Sequence, residues 1–158
     1  MASRLQTELK KKRPFASPDQ EAALNIARTS DRLQICFERL FREHGLDSGS
    51  QYNVLRILRG EGAPLPMLEI ASRTVAVVPG ITGLIDRMEA KGLVKRERCT
   101  EDRRKVYVSI TEKGLALLAK LDEPIEQLHG KLLSHLSDGE KRELIRLLEK
   151  VRATLPEC

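Results

Sequence analysis

Apolar residues recur at steps of three and four along most of this chain, a pattern that predicts amphipathic helices. The first long run extends over residues 17–45, and its opening Ser17-Pro18-Asp19-Gln20 has the order of an N-cap, a first-turn proline and a capping-box glutamine. Residues 1–16 contain the basic run Lys10-Lys11-Lys12-Arg13 without an apolar face. We therefore expect order to begin at Ser17, after a solvated basic arm, with a DNA-contacting arm as the alternative.

Shorter helices are predicted in the middle of the chain, over residues 47–62, 67–73 and 79–91. Pro79 is expected in the first turn of the third helix, and Gly92 follows its end as the C′ residue. The second and third of these helices, joined by a short turn, have the outline of a helix-turn-helix.

Two segments of strand character follow, residues 93–98 and 105–110, and the second alternates apolar and polar positions. The eleven residues from Lys95 to Lys105 contain six basic and three acidic side chains, a net +3 out of the chain's +5. A basic hairpin after a helix-turn-helix predicts a winged helix, with one helix in the major groove and the hairpin reaching the minor groove. Because only 3% of the residues are aromatic, duplex DNA is a better match than a stacked single strand.

Two more helices are predicted after the hairpin. Thr111 can cap the first, in which Pro124 is expected to produce a kink, and Ser137-Asp138-Gly139-Glu140 has the order of a capping box that begins the second. The predicted fold is mainly α, a winged helix-turn-helix domain with a small β-hairpin wing, flanked by N- and C-terminal dimerisation helices. Its parts are a basic arm (1–16), a dimerisation helix (17–46), the DNA-binding domain (47–111, with recognition helix 79–91 and wing 93–110) and C-terminal dimerisation helices (112–158).

Several segments resemble the multiple-antibiotic-resistance regulator (MarR) family over about residues 20 to 153. The Asp-x-Arg of the wing and the Thr-Glu-Lys-Gly after the second strand are the most specific parts of the resemblance. It implies a homodimer that binds a pseudopalindromic operator and is released by a small aromatic or anionic ligand lodged between the dimer helices and the winged helix. The segments are QYNVLRIL (51–58), LIDRME (84–89), KGLVKR (91–96), EDRR (101–104) and VSITEKG (108–114).

Apolar stripes on both terminal helices agree with a dimer, since they exceed what a small winged helix covers by itself. The residues expected at the interface are Phe37, Phe41, Leu144, Leu148 and Val151.

The expected DNA contacts of the recognition helix depart from the family pattern. Positions 80 and 83 are often polar or basic in the family, and here both are glycine. Hydrogen-bonded base contacts then fall to Thr82 and Arg87, while Pro79 can touch a thymine methyl group. The structural alternative is that Asp86 and Arg87 only form surface ion pairs. The recognition-helix set is Pro79, Gly80, Thr82, Gly83 and Arg87.

In the wing, Arg104 matches the family's minor-groove arginine, and Asp102 matches the acidic residue that orients the wing through an ion pair. Arg98, Arg103 and Lys105 complete the expected wing contacts.

Other chemistry has little support in the sequence. There is no Ser/His/Asp set, no Gly-rich phosphate loop and no ligand-like spacing of the three histidines, so we expect no enzyme, cofactor or metal site. Cys36 and Cys99 leave a thiol-based redox regulator as an alternative, and a protein-binding winged-helix adaptor is another. With no apolar run of about 20 residues and no secretory signal, we expect no membrane association and a cytoplasmic location.

Overall fold

The computed structural model describes residues 3–98 and 105–156 of the 158-residue chain, and these are mainly helical with one small sheet. The predicted fold class is confirmed. The elements are α1 (Arg4–Glu8), α2 (Pro18–Glu43), α3 (Gly49–Glu61), β1 (Leu65–Pro66), α4 (Met67–Ser72), α5 (Ile81–Ala90), β2 (Val94–Arg98), β3 (Val106–Ile110), α6 (Glu112–Leu133) and α7 (Asp138–Arg152).

Hydroxyl side chains define the starts of the long helices, as the sequence predicts. Ser17 accepts a hydrogen bond from the backbone N–H of Gln20 at the start of α2. At the start of α7, Ser137 and Glu140 form a reciprocal capping box. Gly62 ends α3 in the left-handed conformation, with φ +70°.

The chain is ordered well before Ser17, so the prediction of an arm without structure up to that residue is wrong. A short helix, α1, is capped by Ser3 and buries Leu5, which is only 4% exposed. Glu8 then bonds Arg32 of α2 across 3.2 Å. One apolar side chain and one ion pair are enough to hold this segment against the protein.

The sheet is antiparallel, in the order β1-β3-β2. The hairpin of β2 and β3 is the predicted wing, and its register pairs Val94 with Ile110 and Arg98 with Val106. The third strand, β1, pairs Leu65 with Val108 and was not predicted, because two residues show no alternation.

The core lies around α3, which buries Val54, Leu55 and Leu58 almost completely. Side chains from α5, β3 and α6 pack on the same cluster. Arg59 of α3 also forms a bidentate salt bridge with Asp122 of α6, in which both N–O distances are 2.8 Å. The winged helix and the start of α6 are therefore one packed unit. The fully buried members from the other elements include Ile85, Met88, Val108, Leu118 and Leu121.

Residues 111–114, which we call the 111–114 junction, join the end of α5 to the sheet and to α6. The Thr111 hydroxyl donates to the Gly92 carbonyl at 2.6 Å and accepts from the N–H of Gly114 at 3.1 Å. Lys113 Nζ donates to the Lys91 carbonyl at 2.7 Å. At Gly114 a Cβ would collide with the Leu93 carbonyl oxygen and lie 2.8 Å from Ile110 Cγ1. The Thr-Glu-Lys-Gly motif is thus a packing and capping device.

No helix among the described residues is long and apolar enough to cross a membrane.

Replacing Gly114 with alanine should lower the free energy of unfolding by about 1–3 kcal/mol, because the added Cβ has no space beside a backbone oxygen. Gly130, also in α6, is a matched control with open space around it, so Gly130→Ala should raise the same quantity by about 0.5–1 kcal/mol. Urea denaturation followed by circular dichroism measures both. Equal effects of the two substitutions would contradict the packing assigned to Gly114.

Candidate nucleic-acid interface

The recognition helix is α5, and its buried side fixes which residues face outward. Leu84, Ile85 and Met88 pack into the core, whereas Thr82 and Arg87 are exposed. The prediction that Pro79 lies in the first turn is wrong. The helix begins at Ile81 after Gly80, so Pro79 lies outside the helix and is exposed.

Gly80 gives this helix an unusual start. It adopts the left-handed conformation, with φ +69° and ψ 48°, which favours glycine, and it supplies no side-chain cap. The starts of α2, α6 and α7 are capped by Ser17, Thr111 and Ser137, whereas α3 and α4, like α5, have no side-chain cap. The first N–H groups of α5 therefore meet no capping side chain, and such groups attract anions such as phosphate.

Arg87 lies beside Gly83 on the outer face of α5. A Cβ built on Gly83 would lie 3.6 Å from Nη1 of Arg87, so the guanidinium extends back along the helix over the glycine. Arg87 forms no ion pair within the described residues, whereas its neighbour Asp86 bonds Arg96 at 2.6 Å. The two roles expected for these residues were DNA contact and a surface ion pair. Asp86 forms an ion pair, with Arg96, whereas Arg87 is exposed on the outer face of α5.

Arg96 joins the wing to the recognition helix, an interaction that sequence reasoning missed. From β2, its guanidinium bonds Asp86 at 2.6 Å and Glu89 at 2.8 Å, and its backbone N–H donates to Glu89 at 3.0 Å. The backbone N–H of Arg96 and then its guanidinium lower the pKa of Glu89. The only signal in the sequence was a pair of acids three residues apart on α5 with an arginine shortly after the helix. We call this cluster the Arg96 lock.

A second polar contact holds the C-terminal end of α5. Lys91 bonds Asp47 at 2.5 Å, and fully buried Gln51 donates to the same carboxylate at 2.9 Å. Gln51 also accepts the backbone N–H of Asp47 at 3.0 Å. Hydrogen bonds from Lys91 and then Gln51 lower the pKa of Asp47. Two polar contacts, the Arg96 lock and the Lys91–Asp47 pair, therefore hold the C-terminal half of the recognition helix.

The wing residues are only partly described. Arg98 and Lys105 lie at the end of the β2–β3 hairpin where the two strands are connected. Both are exposed and form no ion pair with any described residue. Lys95, by contrast, bonds Glu97 at 2.8 Å. The expected contacts Asp102, Arg103 and Arg104 and the possible redox residue Cys99 lie outside the described residues, and those predictions stay predictions.

The residues expected at a dimer interface fall into two groups. Phe41 is only 5% exposed and stacks on Tyr52 at 4.8 Å inside the chain's own core, so its assignment to an interface is corrected. Leu144 and Val151, on α7, are 40% and 46% exposed, and α7 has no buried residue. Phe37, Leu148 and the possible redox residue Cys36 are half-buried.

The Arg96 lock should make stability depend on pH. Because the pKa of Glu89 is lowered in the folded protein, its carboxylate stabilises the fold above the ordinary value of 4.5, and this contribution is lost as the pH falls below it. Glu89→Gln should therefore unfold at lower urea concentration than wild type at pH 7, and the difference should shrink below pH 4.5. Glu126→Gln, at an exposed position of α6, is the control. A Glu89→Gln difference that is constant with pH would contradict the ion pair.

Known proteins share both the sequence pattern and the fold. The model of the MarR family matches residues 48–106. The homoprotocatechuate degradative operon repressor of Escherichia coli is 31% identical over 114 residues, which cover 72% of this chain and 76% of that protein. A MarR transcription factor from Planctomyces limnophilus is 46% identical, with a TM-score of 0.67 over 85% of this chain and 98% of that one.

A third relative is Bordetella bronchiseptica BpsR, whose DNA binding is regulated by 6-hydroxynicotinic acid. It is 25% identical, with a TM-score of 0.76 over 91% of this chain and all of that one. These relatives are transcriptional regulators, which confirms the prediction that the chain is not an enzyme. With a DNA-binding winged helix and relatives of this kind, the chain belongs to the MarR family of transcriptional regulators.

Proposed function

We propose that this regulator is a homodimeric, sequence-specific repressor that is released from its operator by a small aromatic or anionic ligand. The observation on which DNA binding depends most is the outer face of α5, where the first-turn N–H groups have no side-chain cap and Arg87 is exposed and forms no close ion pair with any described residue. This face enters the major groove, and Arg98 and Lys105 direct the wing towards the neighbouring minor groove. Such a protein acts where the DNA is, which we expect to be the cytoplasm.

The Arg96 lock supports this arrangement because it fixes the wing relative to the recognition helix. Two carboxylates on α5 hold one guanidinium on β2 at 2.6 and 2.8 Å. A protein that reads two grooves at once gains affinity when both reading elements are already in place, since little ordering remains on binding.

A homodimer is supported by α7, which is amphipathic and buries no residue in the single chain. Its exposed apolar residues include Leu144, Ile145, Leu147 and Val151. The first half of α2 leaves Leu24 uncovered in the same way. A second copy of these helices would cover both faces, and two-fold symmetry would present two recognition helices to successive major grooves.

The proposed release by a small ligand is supported by a cluster of aromatic side chains where α2, α3 and α6 meet. The rings of Phe37 and His129 lie 4.9 Å apart, and Phe41 lies 6.3 Å from Phe37 and 4.8 Å from Tyr52. An aromatic acid that stacked here would contact helices of both the dimerisation and the DNA-binding parts. The effect of 6-hydroxynicotinic acid on the DNA binding of BpsR is the precedent for this chemistry.

DNA binding should depend on Arg87 and Arg104 and on salt. In fluorescence anisotropy with a duplex selected from a random pool, Arg87→Gln and Arg104→Gln should each weaken binding and lower the salt slope by about one, because each removes one cation from the DNA-facing surface. Arg146→Gln removes an equal charge from α7, where Arg146 bonds Glu143 at 2.7 Å, and is the control. A wild-type protein that recovers no preferred duplex, or shows no salt slope, would overturn the proposal in favour of a protein-binding adaptor.

The dimer should come apart when charge is placed on α7. Val151→Asp should reduce the mass in light scattering from twice 17.8 kDa to 17.8 kDa, because the carboxylate would be buried between two apolar helices. Leu68→Asp changes a side chain that is 82% exposed on α4 and should leave the mass unchanged. Circular dichroism confirms that both variants are folded. A monomeric wild type, or a Val151→Asp variant that is still a dimer, would contradict this interface.

A further inference from the structure

Three large apolar side chains stand out into solvent just before the recognition helix. Leu68 is 82% exposed, Val75 83% and Val77 70%. The other exposed large apolar residues among those described are at most 59% exposed and lie directly after α1, on α2 or from α7 onward. Most of those residues lie on α2 and α7, where packing of the helices of a second copy would cover them. Leu68, Val75 and Val77, which precede α5, are more exposed than any of them.

The segment that holds the two valines is fixed in place. The Thr74 hydroxyl lies 2.8 Å from the Ala71 carbonyl and 2.7 Å from the Ala76 carbonyl, which secures the turn around Val75. Just before it, Arg73 bonds Glu61 and Glu69, each at 2.7 Å. The valines therefore lie in a turn that hydrogen bonds and ion pairs hold in place, and the described residues leave both of them largely exposed.

The polar groups expected beside them are few. Pro79, Gly80 and Gly83 supply no hydrogen-bonding side chain, so Thr82 and Arg87 are left on the outer face of α5. In the major groove the one apolar group that marks a base pair is the methyl group of thymine. The DNA-facing surface proposed here has few hydrogen-bond donors, and the exposed methyl groups of Val75 and Val77 lie just before it in the chain. Such a surface is suited to contact the methyl group of thymine.

We propose that Val75 and Val77 recognise thymine methyl groups in the major groove, next to the bases contacted by α5. The inference rests on the proposed function, because it requires α5 to enter the groove. The occupant is the thymine-bearing edge of duplex DNA, since Val77 and Val75 lie only four and six residues before Ile81, the first residue of α5, on the segment that leads into the helix expected in the groove.

Thymine-to-uracil replacement tests this contact. A duplex selected from a random pool is prepared with thymine and again with deoxyuridine, which removes only the methyl groups and keeps every hydrogen-bonding group. Wild type should bind the uracil duplex about fourfold more weakly for each methyl group contacted, as expected when one buried methyl is removed. The Val75→Ala/Val77→Ala double variant should show a clearly smaller thymine-to-uracil ratio than wild type, retaining only the part that other contacts such as Pro79 contribute.

Two controls separate methyl recognition from other effects. Leu68→Ala removes another exposed apolar side chain and should keep the wild-type ratio between the two duplexes. Circular dichroism shows whether the double variant is folded. Because the double variant is compared on both duplexes, any general change of DNA shape caused by uracil cancels.

The outcomes distinguish this inference from the function on which it rests. If no duplex is selected, the proposed function fails. If selected duplexes bind equally well with thymine and uracil, or if the double variant keeps the wild-type ratio, DNA binding stands and the role of the two valines is overturned.

Discussion

The contact between Gly114 and the Leu93 carbonyl determines how the parts of this protein are arranged. It allows the start of α6 to lie against the end of the recognition helix, and Thr111 and Lys113 then bond the Gly92 and Lys91 carbonyls. A side chain at position 114 would force these elements apart. Because α6 also contacts α2 through His129 and Phe37, the same helix extends from the winged helix to α2.

Charge in the winged helix is divided between internal structure and exposed surface. Arg96 and Lys91 bond carboxylates of the same domain, and Lys95 bonds Glu97 on its own strand. Arg87 and Arg98 have no such partner among the described residues. The net charge of the hairpin therefore overstates what it offers to DNA, since part of it holds the wing to the recognition helix. Substitution of a paired cation should alter geometry as much as affinity.

Local signals in the sequence were the reliable ones. Ser17, Thr111 and Ser137 place three helix starts because a cap depends only on the next few residues. The prediction for Pro79 was wrong because Gly80 adopts the left-handed conformation and the helix begins only at Ile81. Proline is also compatible with a position just before a helix. The Arg96 lock and the burial of Phe41 depend on tertiary packing, which periodicity cannot supply. Along α2 the same apolar spacing marks the chain's own core at one end and an uncovered face at the other.

The small strand β1 has a consequence for how this protein meets other copies of itself. It is one edge of the sheet, only two residues long, and Pro66 has no N–H to offer to an incoming strand. Open edges invite strands of other molecules to add on, which leads to aggregation. A short edge strand that carries a proline disfavours such strand addition on the β1 side of the sheet.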